Sequence, residues 1–408
     1  MVMENRYDKY KDSGIAWIGE IPEHWNIGYV GKYLNEVSNR NTSQKETNTL
    51  QFKMGEIISK SDGNSKYNPE SIESYNIVYP DTIMINGLNL SFDFISQRVA
   101  LVREQGAITS AYLAMKPNDN CSPNYITYLF KSYDYKKVFH ALGKGLRATL
   151  NYNIIRNELI VLPSLSEQQS IATYLDQKCG EIDELITLQE EMITKLQSYK
   201  QSVITEAVTK GLDKNVPLKD SGIEWIGEIP EHWKITKIQY LAQLKSGYNL
   251  TTEEIKDSGL YPVYGGNGIR GYYDKYFLEG DYVLIGRQGA LCGNINYSTG
   301  KSWATEHAVV CYPKTKYITK WFGELLRVMN LNQYSLAAAQ PGLAVERIKL
   351  LPIPIIPLSE QQSIADYLDQ KCSEIDKLIS IKQQKIEKLK DYKKSLIFEC
   401  VTGKRKVS

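Results

Sequence analysis

Two segments in the second half of the chain carry side chains suited to contacting nucleic acid. Tyr261–Tyr276 reads YPVYGGNGIRGYYDKY and Val283–Tyr297 reads VLIGRQGALCGNINY. Glycine lets the backbone approach a ligand closely, and arginine and amide side chains offer the donors and acceptors that base edges and phosphates recognise. A turn-rich β-domain whose tyrosines only pack is the alternative interpretation. The candidate DNA contacts are Tyr264, Asn267, Arg270, Arg287 and Gln288.

The first half of the chain contains two comparable segments. Ile85–Arg98 reads INGLNLSFDFISQR, and Gly143–Tyr152 reads GKGLRATLNY. Both combine glycine with polar and basic residues, and Lys144 and Arg147 are the expected phosphate contacts because lysine and arginine commonly fill that role. The candidate DNA contacts of this half are Asn86, Asn89, Arg98, Lys144 and Arg147.

The charge distribution agrees with this interpretation. The net charge of the whole chain is only +2. Residues 26–164 contain 15 Lys and Arg against 12 Asp and Glu, and residues 234–357 contain 14 against 9, which gives +3 and +5. Residues 166–216 contain 5 against 9, which gives −4. Basic surface is therefore expected on the blocks that carry the candidate contacts, as nucleic-acid binding requires, although the excess is small.

Known catalytic motifs are missing from the sequence. There is no N/D-P-P-Y/F motif of amino-methyl transfer, and the Pro-Asp pair at 80–81 lacks the later partners of a nuclease motif. The GKS at residues 300–302 resembles the end of a phosphate-binding loop, but Ile295 stands where that loop requires glycine. We therefore predict a non-catalytic chain without a metal site. Three histidines are interpreted as structural, core or loop residues: His24, His232 and His307.

The six cysteines form no C-x-x-C pair, which argues against a zinc or redox motif. Cys179 and Cys372 fall within apolar helical stripes, so we expect both to be small buried hydrophobic residues.

Two sequence elements flank the blocks that carry the candidate contacts, and each of these elements occurs twice in the chain. KDSGIAWIGEIPEHW at Lys11–Trp25 recurs at Lys219–Trp233 with 14 of 15 positions identical. LSEQQSIATYLDQKCGEIDELI at Leu165–Ile186 recurs at Leu358–Ile379 with 19 of 22 identical. The blocks between them, 26–164 and 234–357, differ in length and in nearly every motif. This pattern favours a duplicated half-molecule in which one framework presents two different recognition surfaces, although duplication without functional meaning is the alternative.

The second repeated element predicts a pair of long helices. The S-x-x-Q spacing at Ser166–Gln169 and Ser359–Gln362 predicts a capping box, and Gly211 and Gly403 are expected to end the helices. The first helix would be on the order of 65 Å long at ~1.5 Å per residue, and one apolar stripe on such a helix needs a partner. Connectivity favours antiparallel pairing of the two copies as a coiled coil. Its expected apolar positions are Leu175, Ile182, Leu185, Leu196, Tyr199, Leu368, Ile375, Leu378, Leu389 and Tyr392.

The blocks between the repeats predict a mixed α+β fold. Strands are expected at Ser74–Pro80, Thr82–Asn86, Val99–Val102, Asp281–Gly286 and Ala308–Tyr312. Shorter helices are expected at Asn124–Ala141 and Ile318–Leu331. With 42% hydrophobic and 24% charged residues, no apolar run of membrane-spanning length and a polar beginning, the sequence predicts a cytoplasmic protein.

Together, these repeats, the two helices and the PVYGGNGIRGY…GRQGALCG pattern resemble the DNA-specificity subunits of type I restriction–modification systems. The resemblance covers essentially the whole chain, although the block at 26–164 departs from the PVYGGNGIRGY…GRQGALCG pattern. It implies two globular α/β target-recognition domains, at 1–164 and 217–357. It also implies two spacer helices, at 165–216 and 358–408, in an antiparallel coiled coil with a pseudo-twofold internal repeat.

The same resemblance implies partners and cofactors. Each recognition domain would bind one half of a bipartite double-stranded DNA site, and the helices would set the spacer and dock two modification (methyltransferase) subunits. S-adenosylmethionine would be bound by those subunits, and restriction (endonuclease and translocase) subunits would add ATP and Mg. None of that chemistry would reside in this chain. Two alternatives are a coiled-coil adaptor that binds only proteins and a self-contained DNA-modifying enzyme with an unrecognised site.

Overall fold

The computed structural model describes residues 6–60, 69–95, 97–143, 148–289, 292–335 and 342–407. The chain divides into two compact units. Unit 1 comprises Met1–Gln189 and Gln384–Ser408, and unit 2 comprises Glu190–Gln383. Each unit therefore contains one divergent block and one part of each long helix.

Unit 1 begins with the first copy of the tryptophan-containing repeat, and its strands and helices follow in chain order. They are β1 (Tyr10–Asp12), β2 (Glu20–Pro22), β3 (Asn26–Tyr29), α1 (Val30–Tyr33), β4 (Leu34–Glu36), β5 (Leu50–Lys53), β6 (Glu56–Ser59), β7 (Asn76–Val78), β8 (Ile83–Ile85), β9 (Val99–Leu101), β10 (Gly106–Ile108), β11 (Leu113–Pro117), α2 (Pro123–Tyr135), α3 (Val138–Leu142), α4 (Tyr152–Ile155), β12 (Leu159–Leu162) and the start of α5 (Leu165–Lys210).

Unit 2 begins and ends with the same order of elements as unit 1, but the elements between differ. Its elements are β13 (Leu218–Asp220), β14 (Glu228–Pro230), β15 (Lys234–Lys237), α6 (Ile238–Leu241), β16 (Ala242–Ser246), β17 (Tyr261–Gly265), β18 (Gly268–Tyr273), β19 (Leu278–Glu279), β20 (Tyr282–Gly286), β21 (Ile295–Ser298), β22 (Lys301–Ala304), β23 (Ala308–Pro313), α7 (Thr319–Val328), α8 (Val345–Ile348), β24 (Pro352–Ile355) and the start of α9 (Leu358–Val401). Single 3₁₀ turns lie at Pro69–Ser74 and Leu331–Tyr334.

A four-stranded antiparallel sheet forms the centre of each unit. Its order is β4-β11-β8-β9 in unit 1 and β16-β23-β20-β21 in unit 2. Both units also pair the strand that follows the repeated tryptophan with the strand that precedes the long helix, as β3–β12 and β15–β24. A second four-stranded sheet, β18-β17-β22-β19, is found in unit 2. The five predicted strands are thus confirmed, each with shorter or slightly shifted bounds.

The two predicted short helices are interrupted near their ends. Pro123 begins α2, and the Ser122 hydroxyl accepts a hydrogen bond from the Tyr125 amide as an N-terminal cap. Lys137 then adopts φ +59°, which a helix cannot continue through, so Asn124–Ala141 is divided into α2 and α3. The Ile318–Leu331 helix likewise ends at Val328, before the left-handed Asn330.

The long helices run antiparallel within each unit. In unit 1, Lys393 of α9 bonds Asp183 of α5 at 2.6 Å, and Tyr174, earlier in α5, interacts with Arg405, beyond the end of α9. In unit 2, Lys200 bonds Asp376 at 2.7 Å, and Gly211 lies beside Glu360. The predicted α+β class, with globular units and two long antiparallel helices, is confirmed.

The C-terminal ends of the two long helices were predicted correctly, whereas their N-terminal ends were not. Gly211 adopts φ +75° directly after α5, and Gly403 adopts φ +69° two residues after the end of α9, which confirms both as C-terminal stops. The capping box was wrong, because α5 begins one residue before Ser166. The cap is Ser164, whose hydroxyl accepts from the Glu167 amide at 3.3 Å. At the equivalent position of α9 the carbonyl of Pro357 accepts from the Glu360 amide.

Four of the ten predicted coiled-coil positions lie in the cores, and two more are half-buried. Leu175, Ile182, Leu368 and Ile375 are at most 5% exposed, and Leu196 and Leu389 are half-buried. The other four positions lie outside the seam, with exposed fractions of 42–57%: Leu185, Tyr199, Leu378 and Tyr392.

The six cysteines are free and buried, as predicted for Cys179 and Cys372. Within the described ranges, no helix has the length and apolar character needed to cross a membrane.

Candidate nucleic-acid interface

One segment with candidate contacts in each unit lies at the same place in the central sheet. Strands β8 and β9 in unit 1 hold the same sheet positions as β20 and β21 in unit 2. The segment that joins β8 to β9 (residues 86–98, loop 1) therefore corresponds to the segment that joins β20 to β21 (residues 287–294, loop 2). The two loops share their structural place but not their sequence.

In unit 2 the structure brings three candidate residues together. Asn267 and Gln288 are exposed, and Arg287 is half-buried. Asn267 lies in the β17–β18 turn, and its Oδ1 accepts a hydrogen bond at 2.5 Å from Asn294 Nδ2 of loop 2. The turn approaches loop 2 so closely that a Cβ on Gly266 would lie 3.6 Å from the carbonyl oxygen of Gln288. A polar surface is thus formed by two segments that are distant in sequence.

Hydrogen bonds orient the base of this surface. Arg287 Nη1 donates to the hydroxyl of Ser246 at 3.1 Å, and the Arg287 carbonyl accepts from the Leu343 amide at 2.9 Å. The guanidinium of Arg287 retains further donors on a half-buried side chain, so it is held in place and still able to contact a ligand. Arg270 is exposed on β18, and its side chain passes over Gly265, where a Cβ would collide with it.

Tyr264 does not belong to this surface. Its side chain is 7% exposed and packs with Leu278, Leu284 and Val310 in a core cluster. This burial raises the pKa of its phenol. The predicted contact of Tyr264 with DNA is therefore wrong, because the end of β17, from Val263 to Gly265, is buried as a whole.

Arg98 in unit 1 is also a structural residue. Its side chain is 0% exposed. Nη1 donates to the carbonyls of Asn86 at 2.9 Å and Leu88 at 2.7 Å, and Nη2 donates to the carbonyl of Asp93 at 2.6 Å. An enclosed guanidinium that binds three carbonyls of loop 1 cannot reach DNA in this fold. The predicted DNA contact is corrected to a support for the loop.

The remaining candidates of unit 1 belong to loop 1 or lie outside the described residues. Asn86 is half-buried and accepts from the Leu88 amide, whereas Asn89 is exposed with φ +54°. Lys144 and Arg147 lie outside the described residues, so their predicted phosphate contacts stay predictions.

Sequence reasoning missed two glutamates that connect the repeated elements. Glu167, in the first turn of α5, accepts hydrogen bonds from Trp25 Nε1 at 3.1 Å and Tyr7 OH at 2.6 Å, and its Oε2 lies 3.1 Å from His24 Nε2. Glu360, in the first turn of α9, accepts from Trp233 Nε1 at 3.0 Å and lies 3.0 Å from His232 Nε2.

We call each of these arrangements a latch: Trp25, His24 and Glu167 form the first, and Trp233, His232 and Glu360 the second. The predicted structural role of both histidines is confirmed. Recurrence of E-H-W and of S-E-Q-Q in both copies was the signal that could have identified the pairing.

The next residue in each repeat ties the helix to the divergent block. Gln168 is 1% exposed, and its Oε1 accepts from the Ser122 amide at 2.9 Å at the start of α2. Gln361 is 2% exposed and accepts from the Ile318 amide at 2.9 Å at the start of α7. Both copies of the helix thus hold the first turn of a helix from their own block.

Replacing Glu167 by alanine should lower the free energy of unfolding of unit 1 by about 2 kcal/mol, within the range for hydrogen bonds to a charged group. The reason is that Trp25 and Tyr7 would lose their acceptor. The measurement is the urea midpoint of the full chain. Glu181→Ala on the same helix should leave it nearly unchanged, because its partner Lys178 is also on the surface. Equal midpoints for the two variants would contradict the role of the latch.

The long helices expose matching apolar residues. Unit 1 carries Leu185 and Leu188 at 42% and 43% exposure, together with Tyr392 at 51%. Unit 2 exposes the residues at the same positions of the other copies. These are Leu378, Ile381 and Tyr199 at 47%, 50% and 57%. Equivalent exposed apolar residues thus recur in both units and are candidates for contact with another molecule.

Across the part of the chain that the structure describes, no group of three or more His, Cys, Asp or Glu side chains could hold a metal ion. His307 lies in the turn before β23, and its Nε2 is 3.0 Å from Glu306 Oε1.

Comparisons with known proteins agree on one family. The family model "Type I restriction modification DNA specificity domain" matches residues 230–391. The type I restriction enzyme EcoprrI specificity subunit of Escherichia coli is 40% identical over 134 residues, which are 32% of this chain and 33% of that protein. The alignment thus spans about a third of that relative. The putative type I restriction enzyme MjaX specificity subunit of Methanocaldococcus jannaschii is 24% identical over 453 residues, with both chains fully covered.

Two solved structures share the fold. A chain from a study of complex assembly and conformational transition of the type I R-M system has a TM-score of 0.72 at 15% identity, covering 93% of this chain and 98% of that one. The HsdS subunit of Thermoanaerobacter tengcongensis has a TM-score of 0.53 at 15% identity, covering 94% and 98%.

Proposed function

We propose that this chain, which belongs to the DNA specificity subunits of type I restriction–modification systems, selects the DNA site of its complex, with unit 1 reading one half of a bipartite asymmetric sequence and unit 2 the other. One observation carries the finer part of the proposal. Loop 1 and loop 2 occupy the same edge of equivalent sheets, and they differ in sequence while the latches that hold both units are the same.

The polar surface of unit 2 has the chemistry for direct readout of base edges. Arginine can donate two hydrogen bonds to guanine, and asparagine and glutamine can pair with adenine. Gln288 and Asn267 are exposed for such contacts, and Arg287 is held beside them by Ser246. Arg270 is a candidate for either a base or a phosphate. In unit 1, Asn86 and Asn89 would contact bases, and Lys144 and Arg147 would contact phosphates.

The exposed apolar residues of the helices suit a protein partner. We assign one modification subunit to the surface that includes Leu185 in unit 1 and a second to the surface that includes Leu378 in unit 2. Equivalent residues at both places fit two copies of one partner. The methyl donor S-adenosylmethionine would be bound by those subunits, and ATP and Mg by restriction subunits, because this chain is proposed to contribute recognition and assembly rather than catalysis.

Leu185→Asp should remove one of the two modification subunits from the complex, because a carboxylate would replace an apolar side chain in the interface. Leu378→Asp should remove the other, and the double variant should bind neither. Mass photometry of the assembled complex counts the subunits. Thr187→Asp, on the opposite side of the same helix, is the matched control and should leave the stoichiometry at two. Retention of both subunits by the double variant would contradict this docking surface.

A methylation map tests the proposed function as a whole. The chain is co-expressed with its modification subunit in a methylation-free host, and modified adenines are located by single-molecule sequencing. We expect methylation at a split sequence with a fixed gap, and none when this chain is omitted. A stable complex without any sequence-dependent methylation would instead favour the adaptor. Methylation by the purified chain alone would favour a self-contained enzyme.

A further inference from the structure

Loop 1 exposes three large apolar side chains at its tip. Phe92 is 76% exposed, Phe94 55% and Ile95 87%. Large apolar side chains so close together on a surface mark a contact with another molecule. Loop 2, at the same place in unit 2, carries the polar residues Arg287 and Gln288 instead.

The tip is supported from beneath. The three carbonyl bonds from buried Arg98 fix the loop at Asn86, Leu88 and Asp93. The Asn89 carbonyl accepts hydrogen bonds from the amides of both Phe92 and Asp93 at 3.1 Å, which closes a turn. These hydrogen bonds fix the backbone of loop 1 in a conformation that leaves the side chain of Phe92 exposed.

Contacts from α3 and the residue before it hold the other side of the tip. The Phe94 ring stacks on His140 with centroids 4.9 Å apart and an interplanar angle of 17°. Lys137 Nζ donates to the Phe94 carbonyl at 2.7 Å, and His140 Nε2 lies 3.0 Å from the Asp93 carbonyl. Phe94 is thereby a support, whereas Phe92 and Ile95 are the side chains that point away.

We propose that Phe92 and Ile95 form an apolar wedge that enters between stacked base pairs of duplex DNA at the half-site read by unit 1. This inference rests on the proposed function. DNA is the occupant favoured by the place of loop 1, because loop 2 at the same sheet edge carries candidate base contacts. The cation of Lys137 and the exposed amide of Asn89 lie beside the tip, as contacts with phosphates and base edges require.

Insertion of apolar side chains between base steps is an established way in which proteins bend DNA and read its deformability. A wedge is accommodated best at a pyrimidine–purine step, because TA and CA/TG steps unstack easily. The half-site of unit 1 should therefore contain such a step, whereas unit 2 would recognise its half by hydrogen bonds.

The test uses the complete complex and a duplex that carries the mapped site. The half-site of unit 1 is the half whose preference survives the Arg287→Ala substitution. Each adenine of that half, other than the methylated one, is replaced in turn by 2-aminopurine, whose fluorescence rises when its neighbours unstack. Binding of the natural complex should raise the fluorescence severalfold at one step.

A double variant, Phe92→Ala with Ile95→Ala, should abolish that rise and weaken binding at least tenfold. Both side chains are exposed, so its thermal midpoint should equal that of the natural chain. Phe92→Trp should restore the fluorescence, because another large ring can occupy the step. A rise at the methylated adenine itself would report base flipping by the methyltransferase and should persist in the double variant.

Three results would overturn the wedge. They are the absence of any fluorescence rise outside the methylated adenine, an equal rise in the double variant, and loss of a modification subunit from the double variant, which would make the tip a protein contact. In each case the natural complex would still methylate its bipartite site. Failure of that methylation would count against the proposed function instead.

Discussion

Replacing Arg287 by alanine should weaken binding to the split site by about 10- to 100-fold, and only at the half read by unit 2. One well-placed arginine contact discriminates between bases by about 1–3 kcal/mol, and 1.4 kcal/mol is a factor of ten. The Ser246 hydroxyl orients the guanidinium that would be lost. The measurement is a methylation map of the variant complex together with its affinity for the mapped duplex. The map should show relaxed sequence preference in one half while the other half stays intact.

A matched control separates base recognition from general attraction of positive charge. Lys237 on β15 is exposed and belongs to the framework rather than to the central sheet of unit 2. Lys237→Ala removes the same charge and should leave sequence preference unchanged in both halves. Relaxed preference in both halves of the Arg287 variant would show that the two units do not read separately.

Inserting the same four residues into both long helices should lengthen the gap between the half-sites by one or two base pairs. The insertions are placed after Glu190 in α5 and after Gln383 in α9, where each helix passes from one unit to the other. Four residues add about 6 Å to a helix and shift its apolar stripe by only about 40°, and one base pair occupies about 3.4 Å. The methylation map gives the new gap directly.

Lengthening the chain without lengthening a helix is the control. Four residues inserted after Lys214, between the end of α5 and the start of β13, should leave the gap unchanged. A gap that stays the same after both helical insertions would exclude the helices as the element that sets the spacing.

The architecture was predictable because its signals are periodic or repeated. Leu175 and Leu368 fall on an apolar period that predicts a buried helical stripe, and both are fully buried. The same period also selected Leu185, which is 42% exposed. The apolar stripe is wider than the surface that the two helices bury, and the period alone does not say which of its positions lie in that contact.

Site residues were predicted less well because residue type does not reveal direction. Arg98 has the donors that DNA would accept, but three carbonyls of its own loop bind them. Tyr264 lies at the buried end of its strand and packs in a core cluster. Arg287 and Gln288 were selected by the same reasoning and lie at the surface. The difference between the outcomes is set by the backbone carbonyls around Arg98 and by the packing at the end of β17, which only the folded chain specifies.

The glutamates of the latches were missed for another reason. A glutamate in the first turn of a helix is explained locally by its favourable interaction with the helix dipole. Its bond to a tryptophan more than 120 residues earlier is not visible in a local pattern.

The latches also bear on how such a chain can change over generations. Each divergent block is bordered by the same tryptophan at its start and the same glutamate and glutamine after its end. A block replaced by recombination within the repeated sequences would therefore meet the same tryptophan, glutamate and glutamine at its borders. New target preferences can arise in one genetic exchange, without the compensating mutations that a new core would demand.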